Sequence, residues 1–121
     1  MPVSAAAQYP VNLVLTGKPC LVVGGGTVAL RKVDGLLACD AAVTVIAPAV
    51  HPDLQANPRV TVKRRAYVEG DAARGGYRLV ITATDDRTVN QQVHDDADAA
   101  GIWVNSADDP ERCTFTLPAI V

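Results

Sequence analysis

The sequence predicts an α/β domain built on a parallel sheet, and three observations lead to that prediction. Short apolar runs rich in valine recur along the 121 residues, stretches with helical periodicity separate them, and aromatic side chains make up only 4% of the chain. Runs that are apolar on both sides are typical of strands buried on both faces, as parallel strands are. Strands that alternate with helices form right-handed βαβ units, so we expect a doubly wound, mainly parallel sheet of five to six strands with flanking helices.

Apolar runs bounded by glycine, proline or charged residues indicate where the strands lie. The expected strands are 20–24, 43–47, 60–64, 78–83 and 102–105, with 114–117 as a candidate sixth. The third strand alternates between apolar and polar residues, which favours a position nearer an edge of the sheet.

Two segments have the periodicity of amphipathic helices. The first is expected over 26–40, because apolar residues recur there on one side at helical spacing; they are Ala29, Val33, Leu36 and Leu37. The second is expected over 87–100, with Asp85 or Asp86 as its N-cap and Gly101 at its end. Segments 51–58 and 69–76 are predicted to be loops or single helical turns.

Composition and charge exclude several classes of function. Eleven basic and thirteen acidic residues give a net charge of −2 without a basic stripe, so nucleic acid is not an expected partner. The three cysteines form no CxxC pair and indicate reduced thiols, with neither a disulfide framework nor a zinc site. The sequence contains neither a signal peptide nor an apolar run of roughly 20 residues, so we expect a cytoplasmic protein without a membrane partner.

A glycine-rich turn lies between the first strand and the first helix. Residues 24–29, GGGTVA, fit the pattern G-x-G-x-x-G/A at the place where dinucleotide-binding proteins have it. Gly24 permits a tight turn, Gly26 lets the backbone approach a pyrophosphate, and Ala29 lets the helix pack closely on the strand. The helix N-terminus adds free N–H groups and about half a positive charge. A turn without a ligand is the alternative, but the spacing of strand, helix and next strand favours a Rossmann-type domain that binds a nicotinamide dinucleotide.

One element of the usual pattern is missing. Dinucleotide-binding domains place an acidic residue at the end of the second strand, on the adenosine ribose. Here that place is occupied by Ile46, Ala47, Pro48 and Ala49. The ribose is then held by backbone groups or by Thr27. Because no arginine marks a pocket for a 2′-phosphate, NAD is favoured over NADP.

Polar residues follow the fourth and fifth strands, at the edge of the sheet where ligands bind in open α/β folds. Asp85 and Asp86 either contact the nicotinamide side of a cofactor or cap the next helix, and both interpretations stay open. Asp108 is placed to accept a proton beside a nicotinamide. The spacing of Asp108 before Pro110 by itself favours an Asx turn instead. The residues alone therefore predict a cofactor site without a particular reaction.

Three groups of segments resemble the dehydrogenase domain of the siroheme synthase family. GGGxVAxRK, ATDDxxxN and VN…DDP together are far more specific than a glycine turn, and the resemblance covers nearly all of the chain. The segments are 9–10 with 22–32, 83–90, and 104–110 with 115–121. Family members act as precorrin-2 dehydrogenases and often as sirohydrochlorin ferrochelatases.

The resemblance implies a reaction and assigns roles to residues. NAD⁺ takes a hydride from precorrin-2, a tetrapyrrole, and iron is then inserted into the sirohydrochlorin that forms. Asp108 matches the aspartate implicated as proton acceptor in dehydrogenation and in chelation, and Asn105 would form the floor of the substrate site. The expected cofactor-binding residues are Gly24, Gly25, Gly26, Thr27, Val28, Pro48, Ala49, Thr84 and Asp85.

The resemblance also implies a division of the longer family members into parts. Residues 1–121 correspond to one NAD(P)-binding domain. The family's C-terminal helical part, which forms the homodimer and walls the tetrapyrrole pocket, is not among them. Two alternatives remain open at this point: a ferrochelatase without dehydrogenase activity, and an NAD-binding sensor or interaction module without catalysis.

Overall fold

The structure, a computed structural model, describes residues 6–107 and 109–118 and contains one five-stranded sheet. Its strands are β1 (Pro19–Val23), β2 (Ala42–Ile46), β3 (Val60–Lys63), β4 (Leu79–Thr82) and β5 (Trp103–Ser106). All neighbouring strands run parallel, in the order β3-β2-β1-β4-β5. The order reverses between β1 and β4, which is where doubly wound folds bind ligands. The predicted fold class is confirmed, and β3 lies at an edge as expected.

Helices cover both faces of this sheet. They are α1 (Thr27–Ala38), α2 (Pro52–Gln55), α3 (Asp71–Arg74) and α4 (Arg87–Ala99), and a 3₁₀ turn follows at Pro110–Arg112. The two segments predicted as loops or single turns thus contain α2 and α3, each one turn long. In the part of the chain that is described, no helix is long and apolar enough to cross a membrane.

Two apolar clusters form the core, one on each face of the sheet. Cys20 and Val22 of β1 contact the cluster beneath α1, whereas Leu21 and Val23 contact the cluster beneath α3 and α4. All four side chains are buried, which explains why β1 is a continuous apolar run instead of an alternating one. The predicted apolar side of α1 is buried in the first cluster; it consists of Ala29, Val33, Leu36 and Leu37.

The prediction of a sixth strand is wrong, because 114–117 form no strand. Thr114 nevertheless lies beside β5, and its backbone N–H donates to the carbonyl oxygen of Val104 at 2.7 Å. The return bond comes from the Val104 N–H to the Thr114 hydroxyl at 2.9 Å. Since a side-chain hydroxyl takes the place of a backbone carbonyl, the exchange of main-chain bonds that defines a ladder does not develop.

A buried carboxylate fixes the connection from β3 to α3. Asp71 is 8% exposed and accepts hydrogen bonds from Arg65 at 2.7 and 3.1 Å, from the Val68 N–H at 2.7 Å and from Arg74 at 3.2 Å. Burial by itself raises the pKa of Asp71, but these hydrogen bonds and the charge of Arg65 outweigh it, so the pKa is lowered. The carboxylate is therefore more stable in the folded protein than in the unfolded chain.

Replacing Asp71 with asparagine is expected to lower the free energy of unfolding at neutral pH by about 2 kcal/mol, because the amide accepts fewer hydrogen bonds and has no charge. A lowered folded-state pKa gives stability that is present above the unfolded-state pKa of 3.8 and is lost as the pH falls through the folded-state value. Urea unfolding at decreasing pH should therefore show the difference between wild type and Asp71→Asn shrinking below about pH 4.

Asp98→Asn on α4 is the matched control, because it makes the same chemical change at an exposed carboxylate. That variant should unfold as the wild type does at every pH. If the difference in the free energy of unfolding between wild type and Asp71→Asn stays the same below about pH 4, the lowered pKa of Asp71 is contradicted.

Candidate functional site

The glycine turn joins the end of β1 to the start of α1, at the point where the strand order reverses. Gly24 has φ +128°, and its N–H donates to the carbonyl oxygen of Ile46 at 3.0 Å. A Cβ atom at Gly24 would lie 2.6 Å from the carbonyl oxygen of Ala83, whereas one at Gly26 would meet nothing within 4 Å. The chain is therefore clamped at Gly24 and open to solvent at Gly26, which is where a pyrophosphate is expected to approach the backbone.

The two long helices differ in how their N-termini are satisfied. At α4 the side chain of Asp86 accepts hydrogen bonds from the N–H groups of Thr88 and Val89 at 2.9 and 3.2 Å. At α1 the N-cap is Gly26, and among the described residues neither a capping side chain nor an acid in the first turn is present. The free N–H groups and the helix dipole at α1 favour an anion there. Of the two aspartates considered from the sequence, Asp86 is the cap.

The loop after β2 packs against the same turn. A Cβ atom at Gly25 would lie 2.1 Å from the carbonyl oxygen of Ala49 and 3.0 Å from the side chain of Ala47. The backbone N–H of His51 donates to the carbonyl oxygen of Gly25 at 2.7 Å. Pro48 and Ala49, both exposed, thus lie beside the glycine turn, and the structure brings together the two segments that the sequence assigned to the cofactor.

Thr84 and Asp85 follow β4 next to the turn. The Thr84 hydroxyl donates to Asn90 Oδ1 at 2.6 Å and accepts from the Asp86 N–H at 3.1 Å, and the Asn90 amide donates to the Thr84 carbonyl at 2.9 Å. Thr84 therefore shapes the loop that leads into α4. Asp85 is exposed. Contact of either residue with a cofactor stays a prediction.

Buried polar groups hold the end of β5. The Asn105 amide, 8% exposed, donates to the carbonyl oxygen of Phe115 at 3.0 Å, and the hydroxyl groups of Ser106 and Thr82 are hydrogen-bonded to each other. The N–H of Ala107 donates to the Thr82 carbonyl at 3.0 Å. Asn105 thus holds the chain that follows β5, a role the sequence did not indicate, and its position at the floor of a substrate site stays a prediction.

Asp108, the candidate proton acceptor, lies outside the described residues. The residues on each side of it are held firmly, because the Asp109 N–H donates to the Ser106 carbonyl at 3.1 Å and Arg112 forms an ion pair with Asp109. Cys113 lies at the same end of the sheet, where the carbonyl oxygens of Ser106 and Asp109, at 3.3 and 3.2 Å from its sulfur, share the single S–H donor. Burial raises the pKa of the Cys113 thiol, so it stays protonated and is a poor nucleophile.

Among the described residues, no group of three or more histidine, cysteine, aspartate or glutamate side chains is arranged to hold a metal ion. The clamped glycine turn, the open N-terminus of α1 and the reversal of strand order beside them define a Rossmann-type dinucleotide-binding domain.

Comparison with known proteins gives the family. The model of the NAD_binding_7 family, described as "Putative NAD(P)-binding", matches residues 11–119. The chain belongs to this NAD(P)-binding family. The prediction of a nicotinamide dinucleotide as cofactor is thereby confirmed.

Relatives and a solved structure support the resemblance noted in the sequence. The chain is 46% identical over 118 residues to the siroheme synthase of Nitrosococcus oceani and 45% identical over 113 residues to that of Methylobacillus flagellatus. It covers 25% and 24% of those proteins, so it spans about a quarter of the length of the curated relatives it matches. The structure of "SirC, precorrin-2 dehydrogenase" matches with a TM-score of 0.76 and 34% identity, over 93% of this chain and 55% of that one. Similarity to the siroheme synthase family is therefore confirmed.

Substitution by alanine is expected to have different effects at Gly24 and at Gly26. A Cβ atom at Gly24 would overlap the backbone of Ala83, whereas a Cβ atom at Gly26 would lie in open space. Gly26→Ala should leave stability nearly unchanged, since its φ of −90° suits alanine, but should weaken NAD binding about ten-fold or more by obstructing the pyrophosphate. Gly24→Ala should lower the free energy of unfolding by about 3 kcal/mol. Calorimetric titration with NAD and urea unfolding measure both effects. Unchanged NAD affinity in Gly26→Ala would show that the pyrophosphate is not held at this turn.

Proposed function

We propose that this chain binds NAD⁺ and takes part in the NAD-dependent dehydrogenation of precorrin-2 to sirohydrochlorin, a step of siroheme biosynthesis, in the cytoplasm. The observation that carries the proposal is the open backbone at Gly26, beside an uncapped N-terminus of α1 and at the reversal of strand order. The similarity to siroheme synthases and to a precorrin-2 dehydrogenase supports the choice of substrate.

In this proposal, different segments of the chain bind different parts of the cofactor. The N–H groups at the start of α1 bind the pyrophosphate, and the loop with Pro48 and Ala49 packs against the adenosine. The loop with Thr84 and Asp85 lies on the nicotinamide side. When bound, NAD⁺ supplies the acceptor for a hydride. The fit is supported by Gly26, where a Cβ would enter space that is otherwise empty.

The dehydrogenation removes a hydride and a proton from the substrate. We assign the proton to the carboxylate of Asp108, which follows β5 by two residues at the edge where the cofactor is expected. The anchored neighbours of Asp108 support this assignment, because a general base works only when it is held within reach of the proton it accepts. Chelatase activity and the homodimer implied by the family stay predictions.

Asp108→Asn replaces the carboxylate with an amide of similar size that cannot accept the proton. We expect precorrin-2 turnover, followed by the absorbance of NADH under anaerobic conditions, to fall about 10²–10⁴-fold while calorimetric NAD affinity stays unchanged. Asp34→Asn, at an exposed position of α1, is the control and should retain turnover.

Each other outcome has a definite meaning. Full turnover by Asp108→Asn would place the base elsewhere. If the wild-type chain binds NAD but shows no turnover with precorrin-2, the domain is a binding module and the proposed activity is wrong for this chain.

A further inference from the structure

We propose that His51 is a cofactor-binding residue whose Nε2–H donates a hydrogen bond to the 2′-hydroxyl of the adenosine ribose of NAD. The inference rests on the proposed function only in requiring NAD at the glycine turn, and it is independent of precorrin-2 and of Asp108.

The adenosine ribose needs a hydrogen-bond partner, and the loop after β2 has no acidic residue to provide it. An acidic residue at the end of β2 binds this ribose in most dinucleotide-binding domains. Here Ala47, Pro48, Ala49 and Val50 carry no polar side chain, and a proline has no N–H to donate. His51 is the first residue after β2 whose side chain forms hydrogen bonds. A buried ribose hydroxyl left without a partner would lose affinity.

The backbone of His51 is anchored directly to the glycine turn. Its N–H donates to the carbonyl oxygen of Gly25 at 2.7 Å, and the Ala49 carbonyl lies against Gly25. Gly25 precedes Gly26, the residue with open space for a pyrophosphate. Because the adenosine ribose is joined covalently to that pyrophosphate, the ribose lies within the range of a side chain that starts beside Gly25.

A second hydrogen bond fixes the imidazole ring and its proton. His51 Nδ1 accepts a hydrogen bond from the N–H of Asp53 at 3.1 Å, which makes His51 the N-cap of α2. In the neutral ring the proton is then on Nε2, which is a donor. The side chain is 32% exposed, and no described residue accepts a hydrogen bond from Nε2. The donor is thus oriented, partly shielded from water and unused.

Two other groups compete for the same role. Thr27, the alternative from the sequence, is exposed at the start of α1. Lys63 ends β3 beside β2, and its carbonyl oxygen accepts from the Ala47 N–H at 3.3 Å. A lysine would favour the 2′-phosphate of NADP over a ribose hydroxyl. Of these three groups, only His51 combines a ring fixed by a hydrogen bond with a backbone bond to the glycine turn.

The experiment separates the imidazole from its capping role. Serine is a good N-cap residue, so His51→Ser keeps an acceptor for the Asp53 N–H while removing the Nε2 donor. Calorimetry with NAD should show binding about five-fold weaker than in the wild type, the loss expected for one hydrogen bond. His51→Asn, which also caps a helix, is the second variant and guards against an effect of serine itself on folding. Urea unfolding checks that both variants keep the wild-type stability.

A modified ligand makes the test specific to the ribose. NAD carrying 2′-deoxyadenosine should bind the wild type about five-fold more weakly than NAD does, but should bind His51→Ser as NAD does, because the partner is already gone. His94→Ser, which removes the imidazole in the second half of α4, is the matched control and should bind NAD as the wild type does.

Three results would overturn the inference. His51→Ser binding NAD with wild-type affinity would exclude the contact, and so would losses from variant and deoxy ligand that simply add. In both cases precorrin-2 turnover in the wild type would leave the proposed function intact. Failure of the wild-type chain to bind NAD at all would overturn this inference and the proposed function together.

Discussion

The close contact between Gly24 and the backbone of Ala83 is the constraint on which the site depends. A side chain at Gly24 would overlap that carbonyl, and φ at this residue is +128°. Because β1 must turn there, α1 begins directly above the point where the strand order reverses. The loops after β2 and β4 then lie on either side of the turn, so that one local backbone geometry brings together segments far apart in the chain.

The same physical principle has opposite uses at the two long helices. A helix N-terminus offers unpaired N–H groups and positive potential, and these attract either a carboxylate of the protein or an anion from solution. In α4 the carboxylate of Asp86 accepts hydrogen bonds from these N–H groups, which stabilises the helix. The same N–H groups are then no longer available to bind an anion from solution. In α1, Gly26 leaves them open at some cost to the stability of the helix. We therefore expect the pyrophosphate of the cofactor at the helix whose N-terminus the chain does not cap itself.

Periodicity predicts the parts of this fold that depend on neighbours in sequence. The helices α1 and α4 could be predicted because burial of one side imposes a period of 3.6 on the apolar residues. Strands such as β1 and β4 could be predicted because burial on both faces requires a continuous apolar run. α2 and α3 are one turn long, which is too short for such a pattern, and 114–117 has the composition of a strand but pairs through the Thr114 hydroxyl. The glycine turn was evident from its pattern. The role inferred for His51 was not, since it depends on a bond to Gly25 that only the folded chain creates.

The apolar loop after β2 lacks the group by which many dinucleotide-binding domains distinguish NAD from NADP. An acidic residue there would both bind the ribose and repel a 2′-phosphate, so that one group would supply attraction and discrimination. The Nε2–H donor that we infer for His51 supplies a hydrogen bond to the ribose without a negative charge to repel a phosphate. Lys63, at the end of the neighbouring strand, adds no repulsion either. If the domain discriminates against NADP, that discrimination has to come from the shape of the site, and the segment that sets this shape is the loop packed against Gly25.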